Sequence, residues 1–174
     1  NKKRNDFLSS VLEMAEDEKM NFGYEEINYE KNIYDKFYGV YYGESAINRK
    51  PEKLTYLTND LINNVEVNYL ENKNLKTVYN VEKLKSFDSY EVFLDGASSF
   101  IEINNYENKS GKQLVIFRDS FSSSLAPLLI PYYSKITLID NRYINSLNYL
   151  EYIDFNNQDI LFIYSTLIIN NSFS

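Results

Sequence analysis

The chain has 174 residues, 44% of them hydrophobic and 25% charged, enough for one domain with a sizeable core. Its formal charge of −7 argues against general affinity for nucleic acid or an anionic membrane surface, and its apolar runs fall short of the roughly 20 residues that span a bilayer. With no Cys there is no disulfide and no thiolate chemistry, and with no His the usual general base and commonest metal ligand are missing.

In chain order, Phe7 to Met20 reads as a helix, with Phe7, Leu8, Val11, Leu12, Met14 and Ala15 at helical spacing and Asn5 or Asp6 as its cap. The acids Glu16-Asp17-Glu18 and Glu25-Glu26 read as solvated faces. The stretch from Phe37 to Gly43 is expected to be extended, with Gly39 and Gly43 at turns. Val65 to Leu70 alternates as a half-exposed strand does. Val78 to Leu84 is ambiguous, and Tyr90 to Leu94 ends at the turn signal Asp95-Gly96. Phe100 to Tyr106 alternates again, and Asn108 to Gly111 reads as a surface turn.

The last third is the most ordered. Leu114 to Phe117 is a short apolar run of the kind buried on both faces of a sheet. A helix is expected from Phe121 to Tyr133, with Pro127 kinking or shortening it. A second strand follows at Lys135–Ile139, a second helix from Ile144 to Ile153 and a third strand from Ile160 to Tyr164. Strand, helix, strand, helix, strand over about residues 112–166 implies a parallel core.

Parallel sheets bind ligands at the carboxyl ends of their strands. Those ends carry Arg118, Asp119 and Ser120, then Asp140, Asn141, Arg142 and Tyr143, then Ser165 and Thr166. Ser120 is a nucleophile candidate on a strand-to-helix turn, whose N–H groups would face a developing oxyanion. The plainer alternative is that Asp119 or Ser120 caps the helix. Arg142 is either an oxyanion or substrate ligand or a surface partner of Asp140 or Asp154. Ser98-Ser99 reads as a polar loop, with Ser98, Tyr143 and Ser165 as weaker substrate-binding candidates. No residue spacing points to a metal or a cofactor. The 17 Tyr fit either sugar stacking or the codon usage of an AT-rich genome.

Gln113 to Ser122, Pro127-Leu-Leu and Tyr132 to Tyr143, with Phe37 to Ser45, Tyr90 to Gly96 and Asp159 to Tyr164, resemble the DHHW family of bacterial proteins. The resemblance runs from about residue 30 to 166. It implies an α/β class and an SGNH-hydrolase-like three-layer α/β/α fold with a mainly parallel sheet. It implies an envelope protein that adds or removes O-acetyl groups on a cell-surface polysaccharide, beside a membrane-bound O-acyltransferase. Ser120 falls on the nucleophile position and Arg142 on a family arginine. Two departures stand out. The Asp-His-His-Trp motif is absent, and Gly96-Ala97 stands where relatives carry Gly-Asn. Residues 1–174 therefore read as a single SGNH-like domain lacking its N-terminal portion, extracytoplasmic, anchored through an upstream segment and inactive by itself. The alternative is an inactive scaffold that holds a glycan or the acyltransferase.

Overall fold

The computed structural model describes residues 27–39, 50–71 and 75–171, the last without its side chain. The expected helix at 7–20, the acids at 16–18 and 25–26, and Gly43 lie outside the described residues.

The strands form two sheets. Strands β1 (Glu30–Phe37) and β2 (Glu52–Thr58) make an antiparallel pair with an irregularity between Tyr34 and Phe37. The larger sheet holds β3 (Glu66–Tyr69), β4 (Phe100–Asn104), β5 (Gln113–Arg118), β6 (Lys135–Ile139) and β7 (Asp159–Ile163), in the order β3-β4-β6-β5-β7. The expected parallel trio is present, with β5 between β6 and β7 and parallel to both. The β4 strand runs against β3 and β6, so the sheet is mixed. The class is α/β, with short helices throughout the described residues.

Strand β5 shows why this sheet sets the core. Successive side chains alternate faces. Leu114 and Ile116 pack with Ile101, Ile103, Ile136 and Leu138 on one face. Val115 and Phe117 pack with Phe100, Ile139 and Ile144 on the other. Each such side chain, fully buried, contributes about 1.5–3 kcal/mol.

The connections differ most from expectation. Instead of one helix over 121–133, the chain makes a 3-10 turn at Ser120–Ser123, a single helical turn α2 (Ala126–Leu129) and another 3-10 turn at Ile130–Tyr132. Pro127 and Pro131 each sit in the first turn of a new short element, where the missing N–H costs nothing. Ser122, Ser123 and Ser124 precede them, and such residues compete with helical backbone pairing. The expected helix at 144–153 shrinks to α3 (Ser146–Tyr149), capped by Asn145, with turns after it. The short α1 (Asp60–Asn63) precedes β3, and α4 (Thr166–Asn171) follows β7.

The middle segment also turns tightly. Val78–Leu84 and Tyr90–Leu94 are joined by one bridge, Tyr79 to Phe93, with 3-10 turns at Val81–Lys85 and Ser89–Val92. Leu94, Asp95 and Gly96 all have positive φ, at 54°, 54° and 77°. Among the described residues no helix is long and apolar enough to cross a membrane.

Candidate active site at the sheet rim

The parallel trio ends at one rim, and β4, running the other way, begins there. This brings together residues from four separate stretches of sequence.

Asp119 is the cap of the turn after β5. Its carboxylate accepts the Phe121 N–H at 2.9 Å and, across the rim, the Ser165 N–H at 2.5 Å. Its own N–H donates to the Ile163 carbonyl at 3.1 Å. The side chain is buried. The structure thus chooses Asp119 over Ser120 as the cap and binds the turn to the end of β7.

Ser120 is exposed, and among the described residues its hydroxyl makes no hydrogen bond. Its carbonyl lies 3.1 Å from the Tyr90 hydroxyl, which is 3.0 Å from the Ser124 hydroxyl. Burial raises the Tyr90 phenol above its ordinary pKa, against the pull of its bond with Ser124. The expected supply of free N–H groups at this turn is reduced. Phe121 N–H is taken by the Asp119 carboxylate and Ser122 N–H by the Asp119 carbonyl.

Arg142 pairs with Asp140, and Asp154 takes no part. Its Nε donates to Oδ1 at 2.9 Å, its Nη2 to Oδ2 at 2.6 Å and its backbone N–H to Oδ1 at 3.1 Å. That bond to Asp140, more than any other cause, holds the guanidinium above its ordinary pKa. The Arg142 side chain is 38% exposed and its Asp140 partner 2%. The guanidinium carbon also lies 5.2 Å from the centre of the exposed Tyr143 ring.

Ser98 and Ser99 form a buried corner rather than an open loop. Both the N–H and the hydroxyl of Ser99 donate to one Glu71 oxygen at 2.6 Å. Burial pushes the Glu71 carboxyl upward, but the bonds from Ser99 outweigh it and hold the carboxyl below its ordinary value. The Ser99 carbonyl accepts the Asp140 N–H at 2.9 Å, and the Ser98 carbonyl accepts from Arg118 Nη2 at 3.3 Å. Ser98 therefore does not present its side chain to solvent. Ser165 stays at the rim, half-buried and bound to Asp119.

Sequence reasoning placed Arg118 at the end of a strand without giving it a role, and gave none to Tyr90 or Glu71. Arg118 is fully buried at the end of β5. Burial pushes its pKa down, opposed by Asp140 and reinforced by Arg142, yet an arginine stays charged at neutral pH. A charged residue closing an otherwise apolar strand was the available signal for Arg118. Nothing local marked Tyr90 or Glu71. Among the described residues no three His, Cys, Asp or Glu side chains are grouped to hold a metal ion.

What the fold and rim define is an α/β domain with an exposed serine at the carboxyl end of its central parallel strand. Solved structures share that fold. A DHHW family protein from Eubacterium siraeum matches with a TM-score of 0.62 at 20% identity, over 77% of this chain and 46% of its own. Two structures of Bacillus cereus PatB1 match at 18% and 19% identity, with TM-scores of 0.61 and 0.62. They cover 87% and 89% of this chain and 53% and 55% of theirs, and the first carries a sulfonyl adduct. The chain thus spans about half the length of each, and the likeness supports the DHHW resemblance at the level of fold. No family profile matches the chain, and neither does any curated protein.

Proposed function

We propose that this chain is the nucleophile-bearing part of an SGNH-like, three-layer domain that transfers or removes O-acetyl groups on a bacterial cell-surface polysaccharide. Ser120 Oγ attacks the acetyl carbonyl and the bond to the departing alcohol breaks, leaving acetyl-Ser120. A polysaccharide hydroxyl or water then attacks this ester and releases the serine. The proton from Ser120 passes to a base and on to the departing alcohol, and in the second step the same base takes the proton of the attacking hydroxyl or water and returns it to Ser120. No histidine occurs in the 174 residues, so that base comes from outside them, in the Asp-His-His-Trp residues that the resemblance implies. In this reading the protein lies outside the cytoplasm, anchored to the membrane beside an O-acyltransferase. Arg142, steadied by Asp140, meets the substrate next to Tyr143.

The observation that carries this reading is the exposed, unbonded Ser120 hydroxyl on a turn fixed by the buried Asp119. The sulfonyl adduct of the Bacillus cereus structure supplies a probe. The chain is treated with phenylmethanesulfonyl fluoride, or with p-nitrophenyl acetate, with and without imidazole as an external base. Modified residues are mapped by tryptic mass spectrometry. Ser120 is expected to be modified selectively with imidazole, Ser120→Ala to remain unmodified there, and turnover without imidazole to match buffer alone. Modification spread evenly over the serines refutes the assignment. Robust turnover without imidazole, lost in Ser120→Ala, refutes the claim that the base lies elsewhere.

A second reading is an inactive scaffold that holds a glycan. It is favoured by the occupation of Arg142 by Asp140 and by the exposed Tyr143 beside it. Glycan binding on an array, unchanged in Ser120→Ala and lost in Tyr143→Ala, with no labelling of Ser120, selects this reading.

A further inference from the structure

Arg118 is fully buried, yet among the described residues no carboxylate pairs with it directly. Asp140, the carboxylate that acts on it most strongly, is held at both oxygens by Arg142. The two hydrogen bonds of Arg118 go instead to neutral acceptors on two different segments. Nη1 donates to the Ser123 hydroxyl at 2.8 Å, on the turn that carries Ser120. Nη2 donates to the Ser98 carbonyl at 3.3 Å, on the loop that enters β4. Nε is buried and makes no hydrogen bond.

Stability gives no reason for a guanidinium here. Taking an ion out of water costs several kcal/mol, and apolar replacements of buried charges are often neutral or stabilising. The loop it grips begins with Leu94 and Asp95, two consecutive non-glycine residues at φ 54°. Such backbone persists only where its surroundings over-determine it, and it concentrates at functional sites. On the other side, the Ser120–Ser123 turn is a single 3-10 turn with little rigidity of its own.

We propose that Arg118 is a positioning residue, a buried clamp that holds the Ser120 turn and the Leu94–Ser99 loop in one relative placement during acyl transfer. The inference rests on the acyl-transfer reading. It adds that the rate at Ser120 depends on a side chain that never touches the substrate. Lysine offers one ammonium for two separated acceptors, so Arg118→Lys keeps the charge and only part of the clamp.

The test uses the whole chain in imidazole with phenylmethanesulfonyl fluoride, and measures the limiting labelling rate at Ser120 and the reagent concentration giving half that rate. In Arg118→Met the limiting rate is expected to fall about tenfold or more, as misplacement of a reacting group does. The half-saturating concentration is expected to stay unchanged, and hydrogen exchange at Leu94–Ser99 to accelerate. Arg118→Lys and Ser123→Ala are expected to lie in between. Ser123→Ala carries the test should the methionine variant fail to fold. A wild-type limiting rate in Arg118→Met, or in Ser123→Ala, overturns the clamp while Ser120 keeps its role. A wild-type chain whose Ser120 never labels overturns the acyl-transfer reading and the clamp with it.

Discussion

Asp119 and Ser120 are adjacent, and both are good capping residues, yet they do opposite things. Asp119 is buried and satisfies two backbone donors, one local and one from Ser165, 46 residues away. Removing its carboxylate unpairs both. A lost cap costs about 1 kcal/mol, and a buried donor left unmade costs about 1–3 kcal/mol. Asp119→Ala is therefore expected to lower unfolding stability by about 2 kcal/mol or more, read as a lower urea midpoint. Ser120→Ala is expected to leave the midpoint within about 0.5 kcal/mol, as surface changes do. Equal losses from both would mean that Ser120 has a structural partner. The local sequence held this site only as a pair of alternatives, because capping preference ranks Asp and Ser together. The partner that decides between them sits on another strand, and no short stretch of sequence contains it. The same holds for Arg118, whose two acceptors lie on different segments.

Among the elements, β5 and β7 look alike in sequence and differ in the fold. Both are short apolar runs, Leu114-Val-Ile-Phe117 and Ile160-Leu-Phe-Ile163. β5 lies between two strands, and among the described residues β7 pairs only with β5. Ile116 is fully buried, whereas Ile160 is 51% exposed. Ile116→Ala is expected to cost about 2–5 kcal/mol through the cavity it leaves, and Ile160→Ala less than about 1 kcal/mol. Urea unfolding of the two variants measures the contrast, and equal losses would place β7 inside a covered sheet. An apolar run states that a strand is buried somewhere, not how many neighbours it has. That is why the strand positions were legible at Lys135–Ile139 to the residue, while the strand order was not. The helices were the least legible. An apolar pattern at helical spacing spans Phe121 to Tyr133, but two prolines and three serines divide it into three turns. Periodicity reports which face is apolar, and backbone chemistry decides whether one helix can carry that face.

Across the molecule some of the 17 tyrosines serve a purpose that composition did not reveal. Several use their hydroxyls as ties between distant segments. Tyr79 donates to the Leu57 carbonyl at 2.7 Å, joining β2 to the main body, where its ring also meets Tyr56 and Phe93. Tyr133 donates to Asp159 at 3.0 Å, joining the turn before β6 to the start of β7. Burial, more than any other cause, raises the phenol pKa of Tyr69, Tyr79, Tyr90 and Tyr164. Tyr133 is raised to about 12, by burial and by its bond to Asp159. An unfolded chain releases these protons at about pH 10. The folded state thus keeps its protons where the unfolded state has lost them. The stabilisation is complete below about pH 10 and is lost as pH rises through the folded values. The urea midpoint is expected to stay level from about pH 8 to 9.5 and then fall toward pH 12. Tyr133→Phe is expected to flatten part of that fall, because it removes a proton whose loss separates β7 from the turn beside it. A midpoint that holds level to pH 12 would mean that the hydroxyls are not held as these distances imply.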